Sequence, residues 1–175
     1  MDWNKTYFFR SCIYAVLSCL ILLSCSVSYK FNGASVDYNL VKTMTIDLFP
    51  NQAEVVYPSL SQTFTDGLKN KFITQTRLRM QPNNGDLHLE GEITSYQLTQ
   101  SAVKDDGFSS QNRLTISVKL RYTNNKKPTD DLDQSFSGYR EFPSTELLES
   151  VQDRLIREIV EDLADEIYNA TLGNW

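Results

Sequence analysis

The chain has 175 residues, of which 41% are hydrophobic and 22% charged, and its formal net charge is −5. That length is enough for one domain with a substantial core, and the moderately acidic balance gives no reason to expect nucleic-acid binding. Its three cysteines are Cys12, Cys19 and Cys25. The chain beyond them therefore has no disulfide and no cysteine-ligated zinc site.

The first segment has the pattern of an export signal. Two basic residues precede an apolar stretch of 13 residues, 11–23, which is too short to span a ~30 Å hydrocarbon core as a helix. The sequence Leu22-Leu23-Ser24-Cys25 resembles the bacterial lipobox, in which the chain is cut before the cysteine and the thiol is acylated. We therefore predict a lipoprotein signal peptide at 1–24 and lipidation of Cys25. The alternative is an ordinary secretory signal.

Cleavage would leave 151 residues with a net charge of −6, because it removes two basic residues and one acidic residue. We interpret the polar residues 25–42 as the lipidated N-terminus and a tether, and residues 43–175 as one domain. Buried acyl chains contribute ~0.8 kcal/mol per methylene, so several chains hold a protein firmly at a membrane. The sequence contains no second apolar segment, and the lipid is the only membrane attachment we expect.

The domain begins with a strand and a helix. Apolar residues alternate with polar ones from Met44 to Leu48, which is the period of a strand. From Leu60 to Phe72 apolar residues recur at every fourth position, which predicts an amphipathic helix. Gly67 lies inside that helix and costs up to ~1 kcal/mol relative to alanine. It either allows close packing or is a mild defect.

Alternating hydrophobicity predicts three further strands, over residues 87–98, 114–122 and 132–142. The phase of the first of these slips by one position near Ser95, which indicates a β-bulge. We predict a loop at 102–112 between the first two strands. A turn at 124–128 closes the other two into a hairpin.

Apolar residues spaced by three or four from Leu147 to Tyr168 predict a final helix, capped by Ser144 and with Glu146 in its first turn. The element order is then β-α-β-β-β-α. We expect an α+β two-layer sandwich, a four-stranded mixed sheet with both helices on one face.

Several short motifs, distributed along the whole mature chain, together resemble a known family. In order they are Tyr29–Ser35, Leu60–Thr65, Gly91–Ile93, Asn112–Ile116, Gln134–Ser137 and Asn174-Trp175. With the element order, they resemble the lipopolysaccharide-assembly lipoprotein family LptE, in the form found in the Bacteroides group. The resemblance extends from Cys25 to Trp175, and no single motif in it is diagnostic.

The resemblance implies a role at the periplasmic side of the outer membrane. Proteins of that family plug the lumen of a large β-barrel partner, LptD, help it to assemble, and are thought to bind the lipopolysaccharide that the pair inserts. Two other functions remain open from the residues alone. One is a free-standing periplasmic lipoprotein that binds a lipid or small ligand, and the other is a pilot or assembly factor for another outer-membrane machine.

Basic residues are concentrated on the predicted hairpin. Residues 113–127 contain five of them and no acid: Arg113, Lys119, Arg121, Lys126 and Lys127. The three on the strand share its open face and the two lysines lie at the tip, so we interpret them as candidate contacts with lipopolysaccharide, a polyanion, or with the barrel. The alternative is that Glu90 and Glu92 pair across the sheet with Lys119 and Arg121, which is worth ~0–1 kcal/mol per exposed pair.

We predict no catalytic residue, metal site or cofactor. His88 is the only histidine, and no cysteine in the mature domain can join it as a ligand, so we expect it to be a surface residue. The acids of the last helix lie on its water-facing side, where nothing raises a carboxyl pKa for acid–base catalysis. Trp175 is expected to anchor the C-terminus, either in the core or in a barrel wall.

Overall fold

Five strands and two long helices make up the fold in the computed structural model, which describes residues 37–101 and 111–173. They are β1 (Thr43–Ile46), α1 (Leu60–Gln75), β2 (Arg79–Met80), β3 (Leu87–Ser101), β4 (Gln111–Asn124), β5 (Leu132–Pro143) and α2 (Leu148–Thr171). The predicted α+β class is confirmed, with one strand more than expected. The signal peptide, Cys25, residues 102–110 of the predicted loop and Trp175 lie outside the described residues.

The strands form one mixed sheet in the order β2-β1-β3-β4-β5. β1 runs parallel to both β2 and β3, whereas the β3–β4 and β4–β5 pairs are antiparallel. Parallel neighbours need a crossover connection, and α1 lies in the connection from β1. The predicted β4–β5 hairpin is confirmed, with a single turn of 3-10 helix (Pro128–Asp130) in its connection.

β2 is the strand that the sequence does not predict. It has two residues, which pair with Thr43 and Met44 of β1. The Arg79 N–H donates to the Lys42 carbonyl at 3.0 Å. A segment of two residues is too short to show an alternating period, so pattern analysis has no signal for it.

A β-bulge shifts the register of β3 against β4 between Ile93 and Ser95, as the phase slip predicts. It leaves Thr94 outside the ladder register, and the Thr94 hydroxyl donates to the Ser117 carbonyl at 3.2 Å. Ile93 before the bulge and Tyr96 after it are consequently both buried in the core, although three positions separate them.

Both helices cover the same face of the sheet. The core side chains of β4 are the even-numbered residues from Leu114 to Tyr122. The helix side chains in the same core are Leu60, Phe64, Leu68 and Phe72 of α1 and Leu155, Ile156, Ile159, Val160, Leu163 and Ile167 of α2. Each fully buried side chain of this size stabilises the fold by about 1.5–3 kcal/mol, so one continuous core between the two layers dominates the stability.

Two glycines set the distance between packed elements. A Cβ atom on Gly67 of α1 would lie 2.5 Å from Val160 Cγ1 of α2, so the helices approach closely at this position. A Cβ atom on Gly138 of β5 would lie 3.0 Å from Ile159 Cγ2, where α2 rests on the sheet. Of the two interpretations of Gly67, the structure supports close packing.

The start of the last helix differs from the prediction. α2 begins at Leu148 with Leu147 as its N-cap residue and no side-chain cap, and the acid in its first turn is Glu149. The Glu146 N–H donates to the Pro143 carbonyl at 3.0 Å, so this segment forms a turn instead. Ser144 is therefore not the cap. Leu147, predicted on the apolar stripe, is 75% exposed.

Two other boundaries also differ. Leu48 was predicted in the first strand, but β1 ends at Ile46 and the Leu48 side chain is 58% exposed. Residues 111 and 112, predicted in a loop, already belong to β4 and pair with the end of β5. The alternation in the sequence runs on to Leu48 in the first case and begins only at Leu114 in the second, whereas pairing between strands decides where β1 ends and β4 begins.

Asp86 joins the start of β1 to the β4–β5 turn. Its Oδ2 accepts the N–H groups of Lys42 (2.9 Å) and Thr43 (3.1 Å), and the Thr43 hydroxyl donates to it at 3.0 Å. Its Oδ1 lies 3.1 Å from Lys126 Nζ, and the Asn125 N–H donates to its carbonyl at 2.9 Å. The pKa of Asp86 is lowered to about 2, mainly by the hydrogen bond from the Lys42 N–H. Partial burial of the carboxyl raises the pKa, while the contacts with Lys126 and Thr43 lower it further.

Replacing Gly91 by alanine tests the packing of the sheet under Phe49. A Cβ atom there would lie 2.6 Å from Phe49 Cε1 and against the Lys119 carbonyl, and neither can move because the ring is fully buried and the carbonyl lies in the β3–β4 ladder. We expect Gly91→Ala to lower the free energy of unfolding in urea by about 1–3 kcal/mol. Glu92→Ala, on the opposite face, is the control and should change it by less than about 0.5 kcal/mol. Equal values for the two variants would contradict this packing.

The Asp86 contacts predict a specific acid sensitivity. The carboxyl pKa is 3.8 ordinarily and about 2 in the fold, so its ionised form stabilises the protein above about pH 4 and this stabilisation is lost as the pH falls towards 2. Asp86→Asn should lower the free energy of unfolding at pH 6 by about 1–2 kcal/mol and flatten its decline between pH 4 and 2. The exposed Glu161→Gln is the control. If the free energy of unfolding of Asp86→Asn fell as steeply between pH 4 and 2 as that of the wild type, Asp86 would not be the source of the acid sensitivity.

Candidate functional site

The side of the sheet away from the helices, here called the open face, carries five rows of mostly polar side chains. Each row has one residue from β3, one from β4 and one from β5. The rows are Glu90–Arg121–Asp133, Glu92–Lys119–Ser135, Ser95–Ser117–Ser137, Gln97–Thr115–Tyr139 and Thr99–Arg113–Glu141. The structure thus places Arg113, Lys119 and Arg121 on one open surface, as the sequence predicts.

Two of these three basic residues pair with acids in their own rows. Arg113 Nη2 lies 2.6 Å from Glu141 Oε1, and its guanidinium carbon is 4.3 Å from the centre of the Tyr139 ring. The hydrogen bond to Glu141 raises the pKa of Arg113. Arg121 lies between Glu90 and Asp133, with contacts of 3.5 Å to each. The predicted pairing across the sheet is therefore seen for Arg121 and Glu90.

Lys119 is the basic residue of β4 with a free charge. It lies opposite Glu92 and Ser135 and is exposed, and no carboxylate within 37–101 and 111–173 forms an ion pair with it. It borders a shallow hollow of about 370 Å³ that is also lined by Arg121 and by four acids, Asp47, Glu90, Glu92 and Asp133. Because acids outnumber bases there, the hollow is poorly suited to a phosphate group.

Lys126 and Lys127 occupy the hairpin tip, and both are ion-paired within the fold. Lys126 Nζ contacts Asp86, and Lys127 Nζ lies 2.8 Å from Asp130 Oδ1. The Asn124 side-chain oxygen accepts the N–H groups of both lysines at 3.0 Å, which fixes the turn. The two ammonium groups are thus exposed but held at defined positions, some distance along the sheet from Arg113.

Asp47, His88 and Glu90 form a cluster that the sequence does not predict. Each contributes one donor atom, and these atoms all lie within 4.8 Å of one another. His88 Nε2 is 2.9 Å from Asp47 Oδ2, while Glu90 also contacts Arg121. One imidazole and two carboxylates are a donor set that divalent metals accept, but here two of the three are already hydrogen-bonded to each other.

This cluster escaped prediction because its members belong to different strands. Asp47 follows β1, which pairs with β3 in parallel, and the Asp47 N–H donates to the Leu89 carbonyl at 3.0 Å. Sequence alternation indicates that His88 and Glu90 share a face but not which strand lies beside them. The polar Asp47 at the end of an alternating segment was the only available signal.

Solved structures with a similar fold include two that cover most of this chain. One is a minor lipoprotein from Acinetobacter baumannii, with 15% identity, 77% of this chain and 94% of that chain covered, and a TM-score of 0.51. The other is the hypothetical protein CT253 from Chlamydia trachomatis, with 7% identity, coverage of 77% and 99%, and a TM-score of 0.53. At such low identity the likeness shows the fold alone. No curated protein sequence matches the chain.

The family comparison agrees with the resemblance found in the sequence. No helix in the described part of the chain is both long and apolar enough to cross a membrane. The model of the family LptE, described as lipopolysaccharide-assembly, matches residues 41–171, which include every strand and both helices. The chain belongs to the LptE family of lipopolysaccharide-assembly proteins.

Proposed function

We propose that this protein is a non-enzymatic outer-membrane lipoprotein that plugs an LptD-type β-barrel and helps it to assemble as part of a lipopolysaccharide translocon. The observation that carries the proposal is the LptE family match over residues 41–171, which spans the whole two-layer domain. The acylated Cys25 would hold the domain at the periplasmic side of the membrane. No cofactor or metal is part of this role.

The chemistry of the open face supports insertion into a barrel. Large outer-membrane barrels have polar interiors, so a surface that enters one must remain hydrated or form hydrogen bonds with the wall. The five rows of the open face offer serine, threonine, glutamine and ion-paired side chains for this purpose. Ser117 and Ser137, whose hydroxyl oxygens lie 3.0 Å apart, mark the centre of this surface.

The hairpin residues are the proposed contacts with lipopolysaccharide or with the barrel. Lys119 offers an unpaired charge, and Lys126 and Lys127 present ordered ammonium groups at the tip. Arg113 and Arg121, like the two tip lysines, already contact carboxylates with which a phosphate would have to compete, so these four residues are proposed on weaker grounds than Lys119.

Capture of the protein from its native membrane tests the proposed partnership. The affinity-tagged full chain, extracted in mild detergent, should retain a single large barrel in stoichiometric amount, identifiable as LptD by mass spectrometry. The same chain with Cys25→Ser should be released from the membrane fraction. Recovery of the protein alone would favour a free-standing ligand-binding lipoprotein, and recovery of a secretin would favour a pilot factor. Either result would overturn the proposal.

Charge reversal at the hairpin tip tests the lipopolysaccharide contact. The double change Lys126→Glu and Lys127→Glu should weaken lipopolysaccharide binding at least about thirtyfold, since two cations near an anionic surface contribute ~1 kcal/mol each. The change Lys126→Gln and Lys127→Gln removes the charges without placing an acid beside Asp86, and should have a smaller effect in the same direction. Arg154→Glu with Arg157→Glu on α2 is the matched control.

Unchanged affinity and unchanged barrel recovery in both tip variants would exclude the tip as the contact. The family membership of the chain does not depend on that result, because it stands on the sequence match.

A further inference from the structure

One end of the sheet carries basic side chains without acidic partners. This basal end comprises the starts of β1, β2 and β3 and the β4–β5 turn, which the strand register brings to the same side. Lys42, Arg77 and Arg79 lie there and are exposed. Within the described residues none of the three forms an ion pair.

The acids of the basal end are all engaged in holding the fold. Asp37 accepts hydrogen bonds from the backbone and side-chain amides of Asn39, and Asp131 accepts one from the Asn124 N–H. Asp86 accepts the Lys42 N–H at the start of β1 and pairs with Lys126, and Asp130 pairs with Lys127. With Lys126 and Lys127, the basal end carries five cations against these four carboxylates, so its net charge is slightly positive although the whole chain is acidic.

Exposed apolar side chains lie beside these cations. Tyr38 is 40% and Leu40 61% exposed, in a turn that directly precedes Lys42. The N–H groups of Leu40 and Val41 both donate to the Asp37 carbonyl at 2.9 Å, and the Val41 side chain is buried in the core. The turn is thus fixed to the domain, with an aromatic and an aliphatic group directed to solvent. Such a combination with basic residues is typical of segments that contact a bilayer surface.

The basal end is also the part of the domain that the chain reaches first after Cys25. Asp37 follows Cys25 by 12 positions. Even fully extended, those residues span at most about 40 Å. A lipid anchor on Cys25 would therefore hold the basal end within about 40 Å of the acylated cysteine.

We propose that Lys42, Arg77 and Arg79, with Tyr38 and Leu40, bind the anionic phospholipid headgroups of the membrane that holds the anchor. The proposal rests on the proposed lipidation of Cys25, which brings the surface to the membrane. The cations contact phosphate groups, and the two apolar side chains enter the headgroup layer. This contact orients the domain, because it directs the far end of the β3–β4 pair away from the bilayer.

Vesicle flotation tests the contact without the acyl chains. The mature chain, residues 25–175 with Cys25→Ser, is mixed with vesicles of phosphatidylcholine alone or with about 30% phosphatidylglycerol. We expect binding to the anionic vesicles, little binding to the neutral ones, and loss of binding in 0.5 M salt, where the Debye length is only about 4 Å. Equal binding to both vesicle types, or none to either, would overturn the proposal.

Two double variants with the same change in net charge locate the surface. Arg77→Glu with Arg79→Glu should weaken binding to anionic vesicles more than tenfold, whereas Lys69→Glu with Arg157→Glu, elsewhere on the domain, should change it less than twofold. All four residues lack ion pairs within the described residues, so neither variant breaks one. Equal losses in both variants would indicate a general charge effect and refute the assignment. Unfolding in urea confirms that each variant is folded.

The apolar part has its own readout. Tyr38→Ser with Leu40→Ser should weaken binding several-fold at low salt and leave its salt dependence unchanged, because no charge is altered. Vesicle binding needs neither a barrel nor lipopolysaccharide, so failure of barrel capture with a positive flotation result would reject the proposed function alone. Successful barrel capture with a negative flotation result would reject only the headgroup contact.

Discussion

The structure depends on one constraint, that two helices cover a single face of the sheet. Strands direct alternate side chains to opposite faces, so the buried residues of β4 alternate with exposed ones along its whole length. The uncovered face must then be polar wherever it meets water, since a large apolar surface would associate. The polarity of the open face is therefore a consequence of the architecture, and it becomes a functional argument only together with the family and the proposed barrel partner.

The same constraint determines what a run of charge in the sequence means. Residues 113–127 contain five bases and no acid, yet the sheet places acids from β3 and β5 beside them. Partners that are distant in sequence, such as Glu141 for Arg113 and Asp86 for Lys126, neutralise most of the cluster. Among the bases without an ion pair in the described residues, Lys42 and Lys119 lie far in the sequence from Arg77 and Arg79, so no sequence window would group all four.

Sequence predicts best the elements that repeat a period several times. Both helices, the bulge near Ser95 and the β4–β5 hairpin could be read from alternation and spacing. β2 could not, because two residues have no period. The cap at Ser144 failed because a turn from Pro143 delays the helix, and a cap is defined by one local geometry rather than by a repeated pattern. The role of Asp86 was hidden because its main partners are backbone N–H groups of β1.

The basal end holds two kinds of cation, and the difference between them decides which would meet a phosphate first. Lys126 is paired with Asp86, so a bound phosphate would have to replace a carboxylate that also holds β1 in place. Arg77 and Arg79 give up only hydration when they bind, since no described carboxylate competes for them. A phospholipid surface would accordingly occupy the unpaired residues and leave the hairpin tip intact. The tip would then be available to a ligand with enough closely spaced phosphates to compete with Asp86.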